Sequence, residues 1–330
     1  MKSSKTIAVF GCKSTTQYLL EFLREEYSVA HLITIDPEKG HHFSVADYHD
    51  LTAFAADHDI VAYQAHKYSL KSEEDIAHIQ GLGIDIAFVM GWQRLVPPEV
   101  LASLRVGAFG MHGSALHLPR GRGRSPMNWS ILEGKKVFYT SLFKYDAGAD
   151  SGQVVDTLKF TINEHDTGET MHFKNTLAMK HLVKTHLPSL IRNDFALSSQ
   201  MDVTPTYYPK RSEEDSLIDW QDDVFNIERL VRAVTKPFNG AYSFVNNTKI
   251  TIYRATIFDL HEFGHTHTFP GTVVEIFPNG KFVVKGLGGL LLVHEYQYDA
   301  TLSVEDVLST GEERKRHFTR NLYGDHDLAE

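Results

Sequence analysis

Cysteine is nearly absent: the 330-residue chain contains one, Cys12. A single cysteine cannot build an internal disulfide framework or a cysteine-rich zinc site, and such sparing use fits a reducing compartment. No apolar run approaches the roughly 18 residues of a membrane-spanning helix, and the opening MKSSKTIAVFGCKST holds only a strand-length apolar run. A secretory signal needs a longer one and a small-residue cleavage site, so these absences predict a soluble, cytoplasmic protein. Positive charge is short as well, with a formal net charge of −9. Binding to a polyanion scales with the cations that neutralise it, so nucleic acid is disfavoured. The basic clusters are Arg120, Arg122 and Arg124, and Arg314–Lys315–Arg316 in a charged tail that reads as a solvated face. Glycine is missing where a dinucleotide fingerprint requires it: the first apolar run ends in GCKSTT, not G-x-G-x-x-G. Ordinary NAD binding is therefore not expected.

Apolar runs alternate with amphipathic segments through the first 160 residues. Residues 6–12, 29–35, 60–64, 85–90, 107–111 and 137–144 read as strands. Between them, 15–26, 73–81, 97–104 and 125–133 read as helices, the last with Ser125 as N-cap and Pro126 at its first position. The alternation predicts an α/β fold with a doubly wound, parallel, Rossmann-like sheet, whose ligands bind beyond the carboxyl ends of the strands. A long helix over 167–190 ends near Pro188, and the polar stretch 193–206 reads as a linker. After it come a helix at 227–234 and several short strands separated by turn signals, the pattern of a small β-barrel of OB-like type. A short helix from Ser303 then leads into the tail. Residues 1–200 are thus expected to form one domain and 201–330 a C-terminal barrel domain with its tail.

The segment GMHGSALHLPRGRGRSPMNWSILEG, 110–134, puts His112 just beyond a strand and ahead of a Pro/Gly/Arg-rich loop. By position alone His112 is as readily a catalytic group as a loop histidine bonded to backbone. Downstream, KYDAGADSGQVV sets Asp150 in a glycine-flanked turn, where an aspartate usually makes only a local turn bond. Taken together, 85–167 resembles the folate-dependent formyltransferase family, which includes methionyl-tRNA formyltransferases, glycinamide ribonucleotide transformylases and nucleotide-sugar N-formyltransferases. The resemblance rests on Gly110-Met111-His112, Leu118-Pro119-Arg120-Gly121-Arg122-Gly123, Ser125-Pro126 and Asp150-Ser151-Gly152, in that order. KRSEEDSLIDW, PGTVVEI and GLGGLLLVHEY resemble the C-terminal domain of the longer members.

The resemblance implies that His112 is the general base or oxyanion donor and Asp150 its partner, with 10-formyltetrahydrofolate as formyl source. It sets the folate against Met90, Gly91, Trp92, Gln93, Arg94 and Leu95, and against the turn carrying Tyr145 and Gly148. A histidine suits proton transfer near neutral pH, a carboxylate orients it, and preorganised donors stabilise the oxyanion. One family feature is missing: the asparagine two residues before the histidine is Gly110 here. The lost amide is replaced by His112 itself, a backbone N–H or Asn128, or by a water, or else the chain binds folate or nucleotide without catalysis. If the enzyme is live, Gly110→Asn is expected to be tolerated or mildly harmful.

The resemblance leaves the acceptor to be chosen. Methionyl-tRNA formyltransferases carry a basic insertion after the second strand; here 36–50, DPEKGHHFSVADYHD, has one lysine and four acids. The sequence favours a nucleotide-linked amino sugar over methionyl-tRNA, with Arg122, Arg124, Lys210 and Arg211 for the phosphates. Trp220, Trp129, Tyr207 and Tyr208 are the aromatic candidates for stacking a base. His261, His265 and His267 have no supporting ligand and predict no metal site. The sugar, the nucleotide and the oligomeric state stay open, a homodimer included.

Overall fold

The computed structural model describes residues 5–311. Two compact units emerge: one takes the chain up to Arg122 with Tyr139–Lys159 and Lys174–Pro205, the other Gly123–Phe138, Phe160–Phe173 and the described chain from Thr206 on. The chain therefore crosses between these units several times.

In the first half, strands β1 (Ile7–Phe10), β2 (Val29–Thr34), β3 (Val61–Gln64), β4 (Ile86–Val89) and β5 (Gly107–Ser114) alternate with helices. The helices are α1 (Ser14–Glu26), α2 (Pro37–His42), α3 (Thr52–Asp57), α4 (Glu73–Gly81) and α5 (Pro98–Ser103). After the two-residue strand β6 (Arg122–Gly123) and α6 (Pro126–Leu132) come β7 (Val137–Lys144), β8 (Val154–Thr161) and α7 (Gly168–Arg192). The seven-stranded sheet has the order β3-β2-β1-β4-β5-β7-β8. Strands β1 to β5 pair in parallel, as the alternation predicts, but β5 pairs with β7 antiparallel. The sheet is therefore mixed, its reversal lying between β5 and β7. Buried side chains pack on both faces: Leu19, Leu23, Phe88, Leu182 and Leu187 in one cluster, Phe10, Ile33, Val89, Trp92 and Val100 in another.

Three local expectations change. Pro188 lies inside α7, which continues to Arg192. Ser125 is the N-cap of α6 only by position, with φ +53° and no side-chain cap bond; its Oγ accepts instead from the Arg211 amide at 3.4 Å. The loop after β2 contains the short helix α2, whose N-cap Asp36 accepts from the Lys39 amide at 2.7 Å.

In the second unit, β9 (Tyr207–Tyr208) precedes α8 (Val224–Val234) and strands β10 (Ala241–Val245), β11 (Thr248–Asp259), β12 (Val273–Ile276), β13 (Phe282–Gly286) and β14 (Gly289–Tyr298). The last five form an antiparallel sheet in the order β10-β11-β14-β13-β12. Val231, Trp220, Phe282 and Leu291 are among the residues of its core. The described chain from Ser303 makes a turn and isolated bridges to Phe244 and Thr272, not the expected helix. The tail with Arg314–Lys315–Arg316 lies outside the described residues.

Candidate active site

Strand β4 ends at Val89, opposite Gly110, while β5 runs on to Ser114 against β7 alone. His112 therefore sits inside β5 but past the end of its parallel neighbour, where one flank of the strand opens at the carboxyl rim of the sheet. That rim is where doubly wound sheets bind ligands. The imidazole is 8% exposed. Its Nε2 lies 2.7 Å from the Gly121 carbonyl oxygen and its Nδ1 3.3 Å from Asp150 Oδ2. A carbonyl only accepts, so Nε2 carries a proton, and Nδ1 is the nitrogen turned to the carboxylate. Gly121 reaches this position because a Cβ there would meet Ser114 Oγ at 2.1 Å, with φ +72° besides.

Asp150 has a left-handed backbone, φ +51°, in the turn between β7 and β8. The turn is held from within by Asp146 Oδ1, which accepts from the Gly148 amide at 3.0 Å and Ser151 Oγ at 2.5 Å. It is held from outside by Gln200, whose Nε2 donates to the carbonyls of Asp150 at 2.7 Å and Gly152 at 2.8 Å. Gln200 Oε1 in turn accepts from Arg122 Nη2 at 2.6 Å. The Gln200 segment is itself fixed by paired 2.8 Å bonds between Ser198 and Val154.

Gly110 lies two residues before His112 on the same face of β5. A Cβ there would meet Tyr145 Cε2 at 2.1 Å. This corrects the expectation that Gly110→Asn would fit. Gly110 has register partners in both β4 and β7, so the close approach its missing side chain allows is to the Tyr145 ring. Tyr145 is anchored by its amide, which donates to the Ala108 carbonyl at 2.8 Å, and by stacking on Phe143 at 5.2 Å between centroids. Burial first, and the Asp150 charge second, push its hydroxyl well above the ordinary phenol range.

Among the loop residues after β4, Met90 is 4% exposed and its carbonyl accepts from Thr16 Oγ1 at 2.7 Å, so its side chain belongs to the core. Gly91 has φ +82°. Trp92 is buried, and its Nε1 has no hydrogen-bond partner among the described residues. The Gln93 amide donates to Tyr68 Oη at 3.1 Å, Arg94 lies over the rings of Tyr68 and Phe43, and Leu95 is exposed. Beside this loop, a cavity of about 560 Å³ opens at the carboxyl ends of β2, β3 and β4, lined among others by Lys39, Phe43, Lys67, Tyr68 and Arg94. Glu38 and two histidines, His42 and His66, also border it.

Several predicted residues are engaged otherwise. Arg122 is buried and its guanidinium is committed to Gln200, which disqualifies it as an open phosphate clamp. Arg211 stacks on Trp129 and donates to the Asp215 carbonyl at 2.6 Å. Trp220 is 3% exposed and donates to Ser243 Oγ at 2.9 Å, so it is a core residue of the second unit and not a stacking platform. Arg124 donates its amide to the Tyr208 carbonyl, and Lys210 is exposed. Asn128 spends its amide on the Ala233 carbonyl at 2.7 Å and cannot stand in for the missing asparagine. Among the described residues no three His, Cys, Asp or Glu side chains are grouped to hold a metal ion, and His265 Nδ1 faces Thr268 Oγ1 at 3.3 Å. No helix among them is long and apolar enough to cross a membrane.

The sequence profile of the formyl transferase family matches residues 5–184, and that of the formyl transferase C-terminal domain matches residues 210–310. The chain belongs to the formyl transferase family. Solved structures agree with this formyltransferase in fold. WlaRD, a sugar 3N-formyl transferase solved with dTDP and 5-N-formyl-THF, is 18% identical, with a TM-score of 0.61 over 90% of this chain and 99% of its own. An N-formyltransferase from Helicobacter canadensis, in complex with folinic acid and dTDP-3-aminofucose, is 18% identical, with a TM-score of 0.63 over 89% and 100%. HypX from Aquifex aeolicus, in complex with tetrahydrofolic acid, is 17% identical, with a TM-score of 0.63 over 90% of this formyltransferase and 45% of HypX.

Proposed function

We propose that this formyltransferase moves a formyl group from 10-formyltetrahydrofolate to the amine of a nucleotide-linked amino sugar, in the cytoplasm, with its catalytic groups in the first 200 residues. The observation that carries the reading is the His112–Asp150 pair, 3.3 Å apart at the open rim of β5. An amine must lose a proton as it takes the formyl carbon, and the His112–Asp150 pair accepts it. The Asp150 carboxylate holds the imidazolium that results, while the Gly121 carbonyl keeps the ring from turning. The donor substrate supplies an activated formyl on a nitrogen that needs a proton to leave, and His112 returns one.

The residues after β4 suit the donor. Trp92 offers a buried N–H that lacks an acceptor among the described residues, a cost that a ligand's polar ring would remove. Gly91 lets a planar ring approach the backbone, and Gly148 borders the opposite turn. The cavity beside Arg94 suits the acceptor, with Lys39, Lys67 and Arg94 as cations and Phe43 and Tyr68 as aromatic walls. Strands β2 and β5 are three spacings apart in the sheet, about 14 Å. An acceptor that spans them is elongated, as a sugar joined through a diphosphate to a base is. The acidic loop after β2 and the net charge of −9 speak against tRNA.

The test is to incubate the protein with 10-formyltetrahydrofolate and a panel of aminated nucleotide sugars, with methionyl-tRNA alongside, and to measure free tetrahydrofolate. Turnover with one or more nucleotide sugars is expected. Efficient formylation of methionyl-tRNA, falling steeply with added salt, overturns the choice of acceptor. Folate binding with no formyl release to any acceptor overturns catalysis.

A further inference from the structure

We propose that the Tyr145 hydroxyl is the oxyanion donor of this formyltransferase, in the place a side-chain amide at position 110 would occupy. The inference rests on the formyl-transfer reading and adds the group that completes its chemistry. When an amine adds to a formyl carbon, a carbon–nitrogen bond forms and the carbonyl pair moves onto oxygen. That oxygen needs a preorganised donor. His112 cannot serve, because Nε2 is spent on the Gly121 carbonyl and Nδ1 faces the Asp150 carboxylate. The Asn128 amide is spent on Ala233.

Tyr145 fills the gap by position. Its Oη lies 3.0 Å from where a Cβ on Gly110 would stand, and its ring carbon Cε2 lies 2.1 Å from the same point. An asparagine amide nitrogen stands two bonds from its own Cβ, so the phenol oxygen lies at a comparable reach from the same point. Side chains at 110 and 112 project from the same face of β5. The donor and the imidazole therefore face one space at the rim.

The sequence and the packing explain each other. Phe143 is the register partner of Gly110 across β7. Its ring stacks on Tyr145 with 12° between planes, which lays the Tyr145 ring over the glycine. The Tyr145 amide bond to Ala108 fixes the backbone beneath the ring. Any side chain at 110 displaces that ring, so Gly110 and Tyr145 form one coupled pair. The hydroxyl is held protonated by its burial and by the neighbouring Asp150 charge, which keeps it a donor throughout the neutral range. On collapse of the intermediate the carbonyl re-forms and the bond to the folate nitrogen breaks. The electron pair leaves on that nitrogen with the proton from His112, and Tyr145 keeps its own proton throughout.

The experiment compares wild type, Tyr145→Phe, Gly110→Asn, and Gly110→Asn with Tyr145→Ala. Each is assayed for consumption of 10-formyltetrahydrofolate with the amino-sugar panel, and with water alone as acceptor. Tyr145→Phe is expected to fold as wild type and lose about 10²–10³ in kcat, with the donor KM nearly unchanged. Gly110→Asn alone is expected to lose activity through the clash. The double variant is expected to recover at least about tenfold over Gly110→Asn, because the amide then has the space the phenol held. A Tyr145→Phe protein within about threefold of wild-type kcat, or a double variant no better than Gly110→Asn, overturns the Tyr145 assignment alone. A wild-type chain that consumes no donor with any acceptor, water included, overturns the formyl-transfer reading and this proposal with it.

Discussion

Replacing Gln200 tests how firmly the Asp150 turn must be held. Its amide donates to two carbonyls in the turn, and its oxygen accepts from a buried guanidinium. Gln200→Ala removes all three bonds. A bond to a charged group contributes roughly 1.5–3 kcal/mol and a neutral one about 1 kcal/mol. Arg122 makes further interactions, so the low end of that range applies, and the loss of stability is about 3–4 kcal/mol. In a protein of this size that lowers Tm by roughly 4–6 °C. The released turn carries Asp150 with it, and a misplacement of about 1 Å typically costs about 10² in rate. Gln200→Glu separates the two effects. It keeps an acceptor for Arg122 but sets a carboxylate against two carbonyl oxygens, so kcat falls as in Gln200→Ala while Tm stays closer to wild type. Single-turnover transfer and thermal unfolding on the same preparations give both readouts. Full activity in Gln200→Glu refutes the idea that its amide holds the turn.

Other outcomes follow from the packing. Asp75 is fully buried and accepts from Ser72 Oγ, Tyr63 Oη and the His66 and Lys67 amides. Burial opposes its charge, but these bonds prevail and hold its carboxyl below the usual 3.8. Its stabilisation is therefore present above pH 3.8 and lost as pH falls through the lower folded value. Asp75→Asn should cost roughly 2–3 kcal/mol at neutral pH, and the gap to wild type should close in urea titrations at strongly acid pH. Arg94→Ala and Lys67→Ala should each raise the acceptor KM about tenfold and leave kcat within about threefold, which steady-state kinetics measures. Glu262→Ala strands the Lys285 ammonium, its partner at 2.6 Å, in a buried site of the second unit. It should cost about 3–5 kcal/mol by denaturant unfolding, with most of that recovered when both residues become methionine.

Much of the fold was legible because the apolar runs of β1 and β4 are continuous, the pattern of strands buried on both faces, and amphipathic helices separate the strands. The antiparallel β7 was read as a strand, but its direction depends on the connection from β5 through β6 and α6 and not on its own residues. Helix α2 carried a usable signal, Asp36 followed by Pro37 as N-cap and N1, set within a stretch read as a loop. At the site, His112 and Asp150 were found through motif order, and their 3.3 Å approach follows from adjacent β5 and β7. The misplaced residues share a cause. Arg122, Arg211 and Trp220 have the right chemistry for a diphosphate and a base, but long side chains are claimed by partners far along the chain, and no local pattern announces that. Gln200 is one such partner, 50 residues from Asp150 in sequence. Tyr145 was legible as a turn residue beside the folate loop, but its place over Gly110 needs the register between β5 and β7.

The most direct test of the His112–Asp150 assignment is single-turnover formyl release by His112→Ala, with tetrahydrofolate binding measured on the same protein. The expected result is a fall of at least about 10² in rate with folate affinity within about threefold of wild type, since the residues proposed to hold the donor are unchanged. A His112→Ala protein that binds folate and releases formyl at the wild-type rate contradicts the assignment.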